Sequence, residues 1–182
     1  LHIAARAGNE GAINVLLDQH THPPLSAILN NGDSWGRTPL MVACKNGHTG
    51  VVRQLLACAS NDLASVGMSG TTGCLNTTDG LFNRPTRPTL DLNATDYACL
   101  TALHYASEGG HFDIVKLLLA HPSHPPLNLS AANNEGYTAL HLASWKGSIN
   151  IVQALLNHPT QHPVDLNAQD ERGWTALHYA SF

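Results

Sequence analysis

The chain has 182 residues, 43% of them apolar and only 12% charged, with a formal net charge of −4. That apolar content suffices for one compact domain or one short array, while charge is about half the usual ~25%. A pI near 6.3 argues against a nucleic-acid footprint or attraction to an anionic membrane surface, and no stretch approaches the ~18 apolar residues of a membrane span.

From the N-terminus, "LHIAARAG" at Leu1 reads as a short helix closed by Gly8, and "GNEGAINVLLD" as a second, more apolar one. "HTHPPLS" from His20 stops that helix with proline, and a Pro-rich extended segment is expected to carry the chain onward. "DSWGRTPL" at Asp33 places Asp and Gly three residues apart, which is turn chemistry. Thr38 stands at a helix N-cap, and Pro39 follows where a missing N–H costs nothing. Gly47 opens the next helix, "GHTGVVRQLLA". Residues 59–90 are rich in Ser, Thr, Gly and Asn and poor in apolar side chains. They read as an inserted mobile loop, with an ordered functional loop as the alternative, and not as a second domain.

The pattern resumes at Asp96 ("DYACLTAL"), Asn133 ("NNEGYTAL") and Asp170 ("DERGWTAL"), with Thr101, Thr138 and Thr175 in the cap position. "GHFDIVKLLLA" from Gly110 and "GSINIVQALLN" from Gly147 repeat the second helix. "HPSHPPLN" from His121 and "HPTQHPVDLN" from His158 repeat the Pro-rich connection. Cys99 occupies the turn position held elsewhere by Gly, so either it takes a positive φ under strain or the turn changes type. That finger is expected to be the least regular. Met41 stands where the other units have His, so the polar link made by that His is expected to be missing there.

The leucine of the recurring phrase falls at Leu1, Leu40, Leu103, Leu140 and Leu177, that is 39, 63, 37 and 37 residues apart. A helix of about eight residues is not stable alone in water. Identical small units that bury one another's faces form a solenoid. At TPLM (Thr38), TALH (Thr101, Thr138 and Thr175) and LHIAA (Leu1) the chain resembles the ankyrin repeat family, whose signature is T-P-L-H-x-A. The resemblance implies an all-α solenoid of turn–helix–helix layers, here with long Pro/His-containing connections. The units read as 1–32 (partial), 33–58, 91–126, 127–163 and 164–182 (partial) of one domain, 1–182, interrupted by the 59–90 insertion. Both ends fall inside a unit and there is no initiator Met or signal peptide, so the chain is expected to continue into further repeats or domains.

Twelve histidines raise the question of a metal or a catalyst. The resemblance gives His2, His104, His141 and His178 a structural role between adjacent repeats, and places His48 and His111 at a family position too. His20, His22, His121, His124, His158 and His162 lie in the Pro-rich connections as three pairs on separate layers, a poor match to one tetrahedral zinc. No HExxH, GxSxG, Walker A or dinucleotide fingerprint is present, so no catalytic residues, no cofactor and no metal are expected. Four scattered cysteines read as reduced thiols in a cytoplasmic or nuclear protein. The sequons at Asn76, Asn93 and Asn128 would count only after secretion, and Asn93 and Asn167 match a position hydroxylated in some ankyrin proteins.

The family binds partners on its concave face, made by finger tips and outward residues of the first helices. Those slots hold Trp35, Arg37, Tyr97, Leu100, Tyr137, Trp145, Lys146, Arg172 and Trp174, a set rich in hot-spot residue types. The same aromatics could instead pack on the next finger. The expected function is a scaffold binding another protein, with no nucleic acid and no membrane insertion. The alternative is a regulatory or substrate-recruiting segment of a larger enzyme or channel.

Overall fold

The structure, a computed structural model, describes residues 1–18, 25–60, 90–122, 125–159 and 164–181. In chain order its helices are α1 (His2–Ala7), α2 (Glu10–Asp18), α3 (Leu25–Asn30), α4 (Pro39–Lys45), α5 (Thr49–Ser60), α6 (Ala102–Glu108), α7 (Phe112–Ala120), α8 (Ala139–Trp145), α9 (Ile149–Asn157) and α10 (Ala176–Ala180). Among the described residues there is no strand, only a single bridge between Ala132 and Thr138. The insertion lies outside the described residues from 61 to 89; at its edges α5 runs on through Ser60 and Leu90 is buried. His20, His22, His124 and His162, with Cys74 and Asn76, also lie outside them.

One connection differs from expectation. The segment after the first prolines is not extended throughout, because Leu25–Asn30 forms α3 and packs on α4. Leu29 at its end is fully buried. A turn of helix satisfies the backbone internally while delivering that leucine to the core. Leu92 and Leu129, each four residues before a finger like Leu29, are buried from non-helical turns instead.

The repeated Thr-x-x-His is a capping box in which imidazole takes the place usually held by Glu or Gln. Thr101 and Thr138 hydroxyls accept the backbone N–H three residues on, at 3.4 Å each. The Thr N–H in turn donates to Nδ1 of His104 (3.1 Å), His141 (3.2 Å) and, from Thr175, His178 (3.0 Å). Because Nδ1 accepts, the proton resides on Nε2. That Nε2–H donates to the carbonyl of the next finger: His104 to Tyr137 at 3.0 Å and His141 to Trp174 at 3.1 Å. His2 Nε2 meets the Arg37 carbonyl at 2.9 Å in the same way. Met41 keeps the cap, since its sulfur accepts the Thr38 N–H at 3.3 Å. A thioether has no proton to give the next finger, so the link is missing there as the sequence implies.

Layers stack through these ties and through apolar cover. α1, α4, α6, α8 and α10 pack in succession, as do α2, α5, α7 and α9. Leu40, Leu103 and Leu140 are buried between layers, whereas Leu177 in the last described layer is 78% exposed. Burying such a leucine contributes about 1.5–3 kcal/mol. Histidines outside the motif add further ties. His48 reaches the Arg6 carbonyl at 2.9 Å, His121 the Leu56 carbonyl at 3.3 Å and His158 the Leu119 carbonyl at 3.0 Å. The imidazoles at these positions act as interlayer hydrogen-bonding groups.

Each finger is closed by its Asx. The Oδ1 of Asp33, Asp96, Asn133 and Asp170 accepts N–H groups two and four residues on. The N–H of the turn's third successor closes it: Gly36 to Asp33 O, Cys99 to Asp96 O, Gly136 to Asn133 O and Gly173 to Asp170 O. The Cys99 finger is therefore as regular as the others, against expectation. Cys99 adopts φ 61, beside +79, +82 and +76 for the glycines, and is the one non-Gly positive φ among the described residues. The strain sits in one dihedral because the Asp96 bonds fix the turn.

Two outcomes are expected. Cys99→Gly should raise the denaturant midpoint, corresponding to about 1 kcal/mol, because the left-handed conformation costs an L-residue ~1–2 kcal/mol and glycine's extra chain entropy offsets part of that. A lowered midpoint would mean that the Cys99 side chain stabilises the finger. The second concerns acid. Burial lowers the His104 pKa below its ordinary 6.5, against raising contributions from the Tyr137 and Ala131 backbone and from Asp96. The folded chain then binds fewer protons than the unfolded chain just below pH 6.5. Stability from this group is complete above that value and declines as pH falls toward the folded pKa. Urea titrations should show this decline, and His104→Gln should flatten it; an equal slope in the variant would place the acid sensitivity elsewhere.

Candidate partner-binding face

The fingers form a hydrogen-bonded row. The Tyr97 N–H donates to Trp35 O at 3.1 Å, Asn134 to Ala98 O at 3.0 Å and Glu171 to Glu135 O at 3.0 Å. Each finger's side chains are thereby set one layer apart beside the first helices. A second rule governs the free Oδ2 of the turn Asp. Asp33 Oδ2 accepts from Arg37 Nη2 at 2.7 Å and Nε at 3.0 Å. Asp96 accepts from the Tyr105 hydroxyl and Asp170 from that of Tyr179, each at 2.5 Å. In the Asn133 layer the helix carries Leu142 in the tyrosine slot, and the turn has an amide with no second carboxylate oxygen to satisfy.

These contacts set the electrostatics. Burial pushes the Asp33 carboxyl up, but the Arg37 guanidinium and the Trp35 and Arg37 amides outweigh it and hold the pKa at about 2. The bond from Asp33 raises the Arg37 pKa in turn. Burial and the bond to Asp96 push the Tyr105 phenol up. The bonds to Asp170 and Tyr137 and then burial do the same to Tyr179. All these groups keep their usual charge states near neutrality and serve as positioning elements.

Seven of the nine sequence-derived residues fall into three groups. Trp35, Tyr97 and Trp145 are 58%, 76% and 64% exposed. Arg37 is not free: besides Asp33, its guanidinium lies 4.4 Å from the centroid of the Trp35 ring. Lys146 is exposed but lies along Gly110, at the turn between helices. Tyr137 and Trp174 are half-buried and packed within the protein. Tyr137 meets Tyr179 edge-on at 5.9 Å, and Trp174 stacks on His178 at 6.3 Å and tilts against Tyr179 at 5.4 Å. Both rings are packed on side chains of α10 and not on the next finger, which was the alternative expected; each keeps part of its surface exposed.

Leu100, Tyr137, Trp145 and Arg172 come together in one cleft of about 380 Å³. Glu108, Asn133, Glu135, His141, Leu142 and Tyr179 complete its lining. The nine residues singled out from sequence do not include these six, although Glu135 and Glu108 occupy the same finger-tip and outward first-helix slots. Leu142 and Tyr179 were detectable in principle, because Val42, Tyr105, Leu142 and Tyr179 repeat one large apolar slot on the first helices. Asn133 and His141 have mixed roles, holding the fold while lining the cleft. Among the described residues no group of three or more His, Cys, Asp or Glu side chains is placed to hold a metal ion, and no helix is long and apolar enough to cross a membrane.

A family model described as ankyrin repeats, in three copies, matches residues 1–72, 73–170 and 128–182.

The two kinds of aromatic should separate in stability measurements. Trp174→Ala should lower the unfolding free energy by about 2 kcal/mol, since it removes a half-buried ring with two aromatic neighbours. Trp145→Ala should change it by no more than about 0.5 kcal/mol, as at other exposed sites. Equal effects in chemical denaturation would contradict the division of the rings into packed and available.

Proposed function

The chain belongs to the ankyrin repeat family, and from that premise we propose that residues 1–182 act as one repeat domain binding a partner protein through the finger row and first helices. Ankyrin repeats are in general protein–protein interaction modules, which supports a non-catalytic role. The observation that carries the site assignment is the meeting of Leu100, Tyr137, Trp145 and Arg172, from three successive layers, in one cleft. Aromatic side chains fixed by a solenoid lose little entropy on docking, so their contact area converts efficiently to affinity. Trp35 and Tyr97 extend this surface along the fingers.

The test is affinity capture from cell extract followed by crosslinking of the captured complex, comparing the unaltered chain with Trp145→Ala, Tyr97→Ala and, on the second-helix layer, Gln153→Ala. Capture should weaken by roughly 2 kcal/mol equivalent for an anchor such as Trp145, with crosslinks confined to the fingers and first helices. Gln153→Ala should leave capture unchanged. Capture insensitive to Trp145→Ala and Tyr97→Ala, with crosslinks on the second helices, would move the binding surface to the other side of the layers.

A further inference from the structure

The same cleft carries information about what it accepts, and this inference rests on its being a partner-binding site. The floor is apolar, from Leu100, Leu142 and the rings of Tyr137 and Tyr179. Its rim is charged in a fixed order along the stack. Glu108 belongs to the layer of α6; Glu135 and Trp145 belong to the layer of α8; Arg172 belongs to the layer of α10. All four are exposed. Among the described residues the only ion pair is Arg37–Asp33, so neither glutamate nor Arg172 is engaged in one. Two carboxylates beside an exposed indole form a site for a cation, by charge and by cation–π contact.

Asn133 supplies a polar group inside the cleft. Its Oδ1 accepts the Glu135 and Tyr137 amides, at 3.1 Å and 2.8 Å. Its Nδ2 has no hydrogen-bond partner among the described residues. In the two flanking layers the equivalent position is an Asp whose second oxygen is occupied by a tyrosine hydroxyl. Only here, where Leu142 replaces the tyrosine, does the turn side chain offer the cleft an unused donor.

We propose that the cleft binds an extended peptide segment of a partner protein carrying a basic side chain, with Arg preferred, and an acidic side chain about three residues away, with an apolar residue between them. The basic group lies against Trp145 in the layer of Glu135, one layer from Arg172, with Glu108 on its other side. The apolar side chain fills the floor over Leu100 and Leu142, and a peptide carbonyl accepts from Asn133 Nδ2. The acidic group pairs with Arg172. The spacing follows from geometry: adjacent layers stand ~8–10 Å apart, and an extended chain covers ~3.3 Å per residue. Arg is preferred over Lys because its planar guanidinium can stack on the indole while forking to a carboxylate.

The test is selection from a random twelve-residue phage-displayed library against the whole chain, followed by binding of the selected peptides to variants by fluorescence polarisation. Selected sequences should share a basic and an acidic residue about three apart around an apolar one. Glu108→Gln with Glu135→Gln should weaken them by roughly tenfold or more, Arg172→Gln should weaken them as well, and added salt should do the same. Peptides that lose affinity in Trp145→Ala yet share no basic residue, or ignore the Glu→Gln changes, would overturn the charge assignment and leave the binding face intact. Peptides indifferent to Trp145→Ala would overturn both. Recovery of no binder also overturns the assignment, since such a cleft must retain such sequences. Circular dichroism of each variant establishes that lost binding is not lost folding.

Discussion

No helix of the first row can stand alone. Helices of five to seven residues have no stability of their own in water, and everything else in the structure follows from that. Each layer must be covered by its neighbour, so each must offer the same face, and the recurring Thr–Ala–Leu–His phrase is the written form of that requirement. Leu140, covered, is buried; Leu177, the same letter in the last described layer, is not. The leucine's contribution is a property of the pair of layers and not of the residue.

The histidine of that phrase serves both levels at once. Its Nδ1 completes the cap of its own helix and its Nε2 reaches the next finger. One neutral ring therefore couples local helix initiation to interlayer stacking. Met41 separates the two functions, because it can accept for the cap but cannot donate to the neighbour. Six of the histidines contact a backbone carbonyl in another unit through Nε2. Their abundance is thus accounted for by the backbone of a repeating structure, where many carbonyls face the adjoining layer and need donors.

The finger row shows how a repeated scaffold acquires local differences. Three turns use an Asp and give its second oxygen an internal donor, from Arg37, Tyr105 or Tyr179. The fourth pairs Asn133 with Leu142 and so leaves an amide toward the cleft. The cleft's chemistry arises where the repeat departs from its own pattern, while the packing that holds it is made where the pattern is kept.

The sequence alone determined the layered all-α architecture, the caps, the turns and the missing tie at Met41, because each depends on residues within a few positions of one another and recurs in register. It also located the slots of Leu100, Tyr137, Trp145 and Arg172. It could not decide which aromatics were available. Trp145 and Trp174 look alike in the chain, yet one is exposed and the other stacks on His178. Nor could it show that Leu25–Asn30 would be helical, or that the Cys99 turn would keep its form at the expense of a positive φ. These outcomes depend on what packs against a residue in three dimensions: the rings of His178 and Tyr179 on Trp174, the face of α4 on α3, the amides that hold Asp96. Periodicity specifies which slot a side chain enters, and only tertiary contact specifies whether that slot is already filled.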